Sequence, residues 1–235
     1  MMAEGAEYSY VGSELELFIK ATNWKKYWAS RVRPFVRGNV LDVGAGLGAT
    51  FDYLNEAALH WTCLEPDAAL CDELRTRLAS HPQPPRVVCG TLDAIRPEER
   101  FDTIVYIDVL EHIEHDREQA QAAAGHLNPG GSLIVLSPAM PFLFSPFDAS
   151  VGHFRRYTEQ SLGAVTPPGL KVKACFFLDG LGALASLFAR VAKRSAPTQA
   201  QIATWDKLIV PVSRVTDALT SRLFGRTIVM VWGAD

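Results

Sequence analysis

Apolar and polar positions change period several times along this chain, and each change marks an element. From residue 13 to 37, Leu15, Leu17, Phe18, Trp24, Tyr27, Trp28 and Val32 recur at near-helical spacing, which predicts an N-terminal helical segment. Short apolar runs then follow at 40–43, 60–65, 86–89, 102–107 and 132–137, separated by helix-like stretches at 67–79 and 114–126. Strands covered on both faces need such runs, and their alternation with helices predicts a mainly parallel sheet with right-handed crossovers. Residues 138–157 carry neither period and hold three prolines and a dense set of aromatics, so they read as an ordered lid or wall over a pocket. Beyond them the pattern predicts a strand at 170–177, a helix at 180–194, a linker at 195–198, a helix at 202–223 kinked at Pro211, and a last strand at 227–232.

The first strand runs straight into Gly44, Gly46 and Gly48, a G-x-G-x-G loop followed by a helix. Missing side chains let that backbone turn sharply and approach a ligand, while the helix start offers unpaired N–H groups. About twenty residues further on, the second strand ends in Glu65-Pro66-Asp67, where a carboxylate can accept both hydroxyls of a ribose. The fourth strand ends in Asp108-Val-Leu-Glu-His112, and Leu127-Asn-Pro-Gly-Gly131 reads as a turn feeding the fifth. In parallel sheets ligands lie at the carboxyl ends of the strands, where Gly44, Glu65, Gly90 and Asp108 all fall.

Over about residues 38–138 these ordered blocks resemble the class I S-adenosylmethionine-dependent methyltransferases. The resemblance implies an α/β, Rossmann-like, doubly wound, seven-stranded and mainly parallel sheet with N- and C-terminal helical additions, its last strand inserted antiparallel at the sheet edge. It implies one domain over 1–235, with the helical segment 13–37, a cofactor core at 38–137, an acceptor lid at 138–157 and a C-terminal part at 158–235. S-adenosyl-L-methionine is the expected cofactor and S-adenosyl-L-homocysteine the product. Cofactor contacts are expected from Gly44, Ala45, Gly46, Glu65, Pro66, Asp67, Thr91, Leu92, Asp93, Asp108 and Val109, with Asp42 fixing the glycine loop or reaching the methionine amine.

Methyl transfer from a sulfonium is an in-line displacement, so the protein must align the acceptor and, for a hydroxyl, remove its proton. His112 and His153 are the candidate bases, with Arg155 and Tyr157 as further catalytic candidates and Arg155 and Arg156 as candidates for clamping an anionic group. Asp108, Glu111 and His112 are spaced i, i+3 and i+4, which at a helix start shares one face, and His153 offers a fourth metal ligand. Small-RNA 2′-O-methyltransferases and some quinone O-methyltransferases look similar here, with Glu in the place of Asp108; a divalent metal is an alternative rather than the expectation. The lid and tail resemble bacterial methyltransferases, some joined to glycosyltransferases, which suggests a sugar, lipid-linked or secondary-metabolite acceptor.

Composition narrows the partners. Net charge of −3 and the absence of a basic run weigh against nucleic acid, although a metal-assisted nucleic-acid 2′-O-methyltransferase is the second reading and a non-catalytic binding module the third. Four cysteines without C-x-x-C spacing are expected to be reduced core thiols, and the acidic N-terminus has no apolar leader, so a cytoplasmic protein is expected. The apolar stretch 174–192 is interrupted by Asp179 and Arg190 and is not read as a membrane span, leaving peripheral membrane contact or a homo-oligomer interface open for the tail.

Overall fold

A computed structural model describes residues 18–191 and 197–234. Seven strands, β1 (Asn39–Val43), β2 (His60–Glu65), β3 (Arg86–Cys89), β4 (Phe101–Ile107), β5 (Leu127–Pro138), β6 (Lys171–Leu178) and β7 (Thr227–Gly233), form one sheet in the order β3-β2-β1-β4-β5-β7-β6. The first five are parallel, and β7 runs antiparallel between β5 and β6. The expected fold class is therefore present, with one correction: β7 is an interior strand, and β6 is the edge. Every residue of β7 is buried, whereas Lys171 and Lys173 keep the outer strand solvated and discourage further pairing.

Pleating divides the core into two layers. Val40, Val105, Ile134 and Leu136 face one layer, while Leu41, Ile104, Tyr106, Leu133 and Val135 face the other. Helix α1 (Thr22–Val32) covers the first layer through Trp24, Tyr27, Trp28 and Val32 and ends at the 3-10 turn Arg33–Phe35, earlier than expected. Residues 13–17 of that expected helix lie outside the described residues. Helices α2 (Ala49–Leu54), α3 (Ala68–Leu78) and α4 (Asp116–Ala124) lie in the segments joining the parallel strands.

The irregular segment has more structure than its sequence predicts. An Ala139 to Tyr157 bridge closes its base, the 3-10 turn Pro141–Leu143 follows, and Ser145 and Asp148 form a reciprocal capping box on α5 (Pro146–Ser150). After α6 (Glu159–Gly163), α7 (Gly180–Val191) follows β6; the end of the helix expected to 194 and residues 195–196 of the expected linker lie outside the described residues. The helix expected over 202–223 divides into α8 (Gln199–Thr204), a π turn at Trp205–Ile209, and α9 (Val210–Leu219). Pro211 has no N–H to offer the preceding turn, so the ladder widens ahead of it.

Cys71 and Cys89 are joined in a disulfide with their Cα atoms 6.0 Å apart, while Cys63 and Cys175 are free. This corrects the expectation of four reduced thiols: the β2-α3-β3 crossover brings together two cysteines separated by 18 positions. No described helix is long and apolar enough to cross a membrane.

Candidate active site

The glycine loop is held from two sides. Gly44 and Ala45 donate their N–H groups to the Leu64 carbonyl at 2.8 and 3.1 Å, and Gly46 donates to Glu65 Oε2 at 2.7 Å. Glu65 Oε1 accepts from the Asp67 N–H at 3.0 Å, so one buried carboxylate spans both loop and turn. Burial pushes the Glu65 carboxyl up, opposed by these two backbone hydrogen bonds. Gly44 has φ +69°, and a Cβ there would lie 2.6 Å from Val109 Cγ2, so glycine is required by both conformation and the neighbouring strand end.

The other expected cofactor residues border the same strand ends. Asp67 caps α3 by accepting from the Leu70 N–H at 2.9 Å. Pro66 lies between Glu65 and this cap, Thr91 and Asp93 are exposed around the 3-10 turn Leu92–Ala94, and Leu92 is buried beneath it. Asp108, exposed with φ 54°, is tied through its backbone N–H to the Leu136 carbonyl at 2.8 Å. Asp42 is buried within β1; its Oδ2 has no hydrogen-bond partner, and burial pushes its carboxyl up to about 8. Its position is behind the glycine loop.

A second cluster lies just beyond β4. Glu111 is 0% exposed; its Oε2 accepts from Ser137 Oγ at 2.7 Å and its Oε1 has no hydrogen-bond partner. His153 Nε2 faces that oxygen at 4.0 Å, and the His112 and His153 rings meet edge to face at 4.6 Å. The lid backbone reaches the same point, with the Phe154 N–H donating to the Glu111 carbonyl at 2.8 Å. Burial, followed by the charge of Asp108, raises the Glu111 carboxyl well above the usual range; burial, followed by His153, lowers His112 to about 4.

Asp148 controls His153 and was not anticipated as a site residue. This buried carboxylate accepts from His153 Nδ1 at 3.0 Å and from Arg156 Nε and Nη2 at 2.8 and 3.0 Å. Burial opposes its ionisation, yet the hydrogen bonds from His153 and Arg156 outweigh that cost and hold its carboxyl below the usual range. An ionised acceptor requires a proton on His153 Nδ1, and Nε2 is the ring nitrogen turned toward Glu111. The S-x-x-D spacing of Ser145 and Asp148 was a readable capping signal; nothing in that spacing identified its histidine partner.

The catalytic candidates therefore separate. His112 and His153 meet beside Glu111, whereas Arg155 and Tyr157 converge on Asp116, at 2.6 Å from Arg155 Nη1 and 2.7 Å from the Tyr157 hydroxyl. Tyr157 is buried, and burial followed by its bond to Asp116 raises its phenol, so its position is that of an anchor for the lid base. Arg155 also donates to the Glu114 carbonyl at 2.6 Å and borders a cleft of about 350 Å³ with Arg117 and Ser161. Arg156 is occupied by Asp148 and is not an open anion clamp.

The expected metal group changes in the same way. Glu111, His112 and His153 place one possible ligand atom each within 4.8 Å of the others, but Asp108 is not among them. The reason is local: Leu110–His112 is a 3-10 turn, and α4 begins only at Asp116, so the helical spacing argument does not apply. The three remaining donors, one orphaned carboxylate oxygen among them, fit a divalent ion of the magnesium, manganese or zinc type. Such an ion would polarise an acceptor oxygen.

The fold is that of the class I S-adenosylmethionine-dependent methyltransferases. Residues 41–133 match the family described as "Methyltransferase domain", and S-adenosylmethionine is the cofactor of the class. The chain is 32% identical over 104 residues to an uncharacterised methyltransferase of Mycobacterium tuberculosis, covering 44% of this chain and 52% of that protein. It is 27% identical over 136 residues to a tRNA U34 carboxymethyltransferase of Shewanella pealeana, covering 54% of this chain and 40% of that one. The chain thus spans about half or less of these curated relatives. An S-adenosylmethionine-dependent methyltransferase of Clostridium acetobutylicum superposes with a TM-score of 0.60 at 12% identity, covering 94% of this chain and 96% of that chain, which establishes likeness of fold.

Proposed function

We propose that this protein methylates an oxygen or nitrogen of a small molecule, with a sugar, lipid-linked compound or secondary metabolite as acceptor, and that His153 takes the acceptor proton. The observation carrying this reading is the Asp148, His153, Glu111 series beside the cofactor end, with His153 oriented through Nδ1 and its Nε2 facing the orphaned Glu111 oxygen at 4.0 Å. At 4.0 Å, His153 Nε2 and Glu111 Oε1 are too far apart to hydrogen-bond to each other, so both remain available to an acceptor group. An acceptor hydroxyl or ammonium gives its proton to His153 Nε2, and that loss activates the nucleophile for in-line attack on the methyl group. Gly44, Ala45, Gly46, Glu65, Pro66, Asp67, Thr91, Leu92, Asp93, Asp108 and Val109 bind the cofactor in this reading, with Asp42 supporting the loop.

Labelled S-adenosylmethionine incubated with the protein and a fractionated metabolite extract should yield a methylated small molecule and S-adenosylhomocysteine. His153→Gln should lower turnover about 100-fold, within the usual range for loss of a general base, with homocysteine-product affinity unchanged. Unchanged turnover would remove His153 from the chemistry. A nucleic-acid acceptor is the second reading, supported by the tRNA-modifying relative and by the Glu111, His112, His153 donor set. Transfer of label to tRNA, abolished by chelation and restored by manganese, would replace the small-molecule reading.

A further inference from the structure

We propose that the C-terminal helices dock this protein on an anionic lipid bilayer surface. Leu208, Val212, Val215 and Leu219 recur at i, i+4, i+7 and i+11 and are 65%, 51%, 61% and 80% exposed, forming one apolar stripe along the π turn and α9. Helix α7 packs against α9 and exposes Leu184, Leu187 and Phe188, while Leu223 and Phe224 extend the surface beyond α9. Single exposed leucines are ordinary, but two adjacent helices with apolar outer positions need a partner.

Charge selects that partner. Between residues 171 and 234 the chain has three acids and nine lysines and arginines, although the whole protein has a net charge of −3. All three acids are buried and used internally. Asp179 accepts from Trp205 Nε1 and Ser213 Oγ at 2.8 and 2.7 Å, Asp206 from the Trp24 N–H at 2.8 Å, and Asp217 from the Tyr27 hydroxyl at 2.8 Å. The outer surface therefore combines apolar side chains with exposed Lys207 and Arg214. Apolar residues that enter the headgroup boundary, flanked by cations without competing carboxylates, match an interfacial helix on anionic lipid. RNA would call for stacking platforms rather than an aliphatic stripe.

The surface borders the acceptor side of the sheet. Helix α7 leaves β6 beside the carboxyl end of β5 and packs on the Pro141–Leu143 turn, where Phe142 is also exposed. Docking would bring the lid toward the headgroup layer, but binding itself is independent of the proposed reaction.

The test is flotation of the intact protein with phosphatidylcholine vesicles, with and without about one third phosphatidylglycerol, at low and high salt. Binding is expected to the anionic vesicles and to weaken at high salt. Joint replacement of Leu208, Val212, Val215 and Leu219 by Ser should reduce it by about tenfold or more, with thermal unfolding and S-adenosylhomocysteine binding confirming an intact fold. Lys207→Gln combined with Arg214→Gln should reduce binding by roughly threefold to tenfold and flatten its salt dependence. Failure to float with anionic vesicles at low salt overturns the proposal. So does a stable dimer dispersed by the serine variant without vesicle binding, or tRNA binding in place of vesicle binding.

Discussion

The glycine-loop end, proposed to hold the cofactor, and the lid cluster, proposed to face the acceptor, both lie at the carboxyl ends of the strands, yet they are built differently. At the cofactor end, backbone conformation dominates: Gly44, Gly46 and Gly48 all have positive φ, and a single carboxylate, Glu65, fixes the loop through two N–H groups. On the acceptor side, side chains from separated segments meet: Glu111 follows β4, Ser137 belongs to β5, and Asp148 and His153 come from the lid. A glycine loop is a local solution to approaching a ligand. A buried acid and imidazole cluster must be assembled across the chain and carries the desolvation cost of each charge until paired.

The largest effect separating the two regions is expected at Asp148. Its replacement by Ala leaves the Arg156 guanidinium without its bidentate partner in a partly buried setting, so stability should fall by about 3–5 kcal/mol, read by chemical denaturation. A loss below about 1 kcal/mol would show that the lid does not depend on this pair. At the cofactor end, Gly44→Ala meets both the positive φ and Val109, which should cost about 2–4 kcal/mol and abolish detectable S-adenosylhomocysteine binding in calorimetry. Normal binding by that variant would show that the loop tolerates a side chain.

His112 supplies a pH-dependent contrast. Its folded pKa, lowered by burial and then by His153 from 6.5 to about 4, means that the unfolded chain binds more protons between these values. Its contribution is therefore present above about 6.5 and lost as pH falls toward 4. Relative to His112→Asn, the native protein should lose roughly 2–3 kcal/mol across that window, a difference that leaves out the opposite drift expected from Asp42. Parallel stability curves for the two proteins would place His112 in a more hydrated setting. The smallest effect is at Glu65: Glu65→Ala should weaken S-adenosylmethionine binding by ~1–3 kcal/mol through lost charged hydrogen bonds to the ribose and a looser glycine loop. Equal affinity in the variant would break the assignment of Glu65.

Removing divalent ions sharpens the comparison in another way. Chelation should leave cofactor binding intact under either reading of the acceptor, because the Glu111, His112, His153 group is separate from the glycine loop and Glu65. Calorimetry before and after exhaustive chelation measures this directly. Loss of cofactor affinity would join the two regions into one metal-dependent site.

The sequence by itself determined the parallel core, the glycine loop and the acids at its strand ends, because strand burial, positive φ and helix capping depend on neighbours within a few residues. It also showed the apolar run 228–232 of the last strand, but placed that strand at the sheet edge rather than between β5 and β6. Tertiary structure alone decided that Asp148 orients His153, that Arg155 and Tyr157 turn to Asp116, and that Asp108 stands outside the Glu111, His112, His153 group. It likewise decided which charges in the tail are spent inside: Asp179, Asp206 and Asp217 are buried, leaving bases and apolar side chains outside. These pairings join residues far apart in the chain, and hydrogen-bond direction and burial at such distances are set by packing, which no local pattern records.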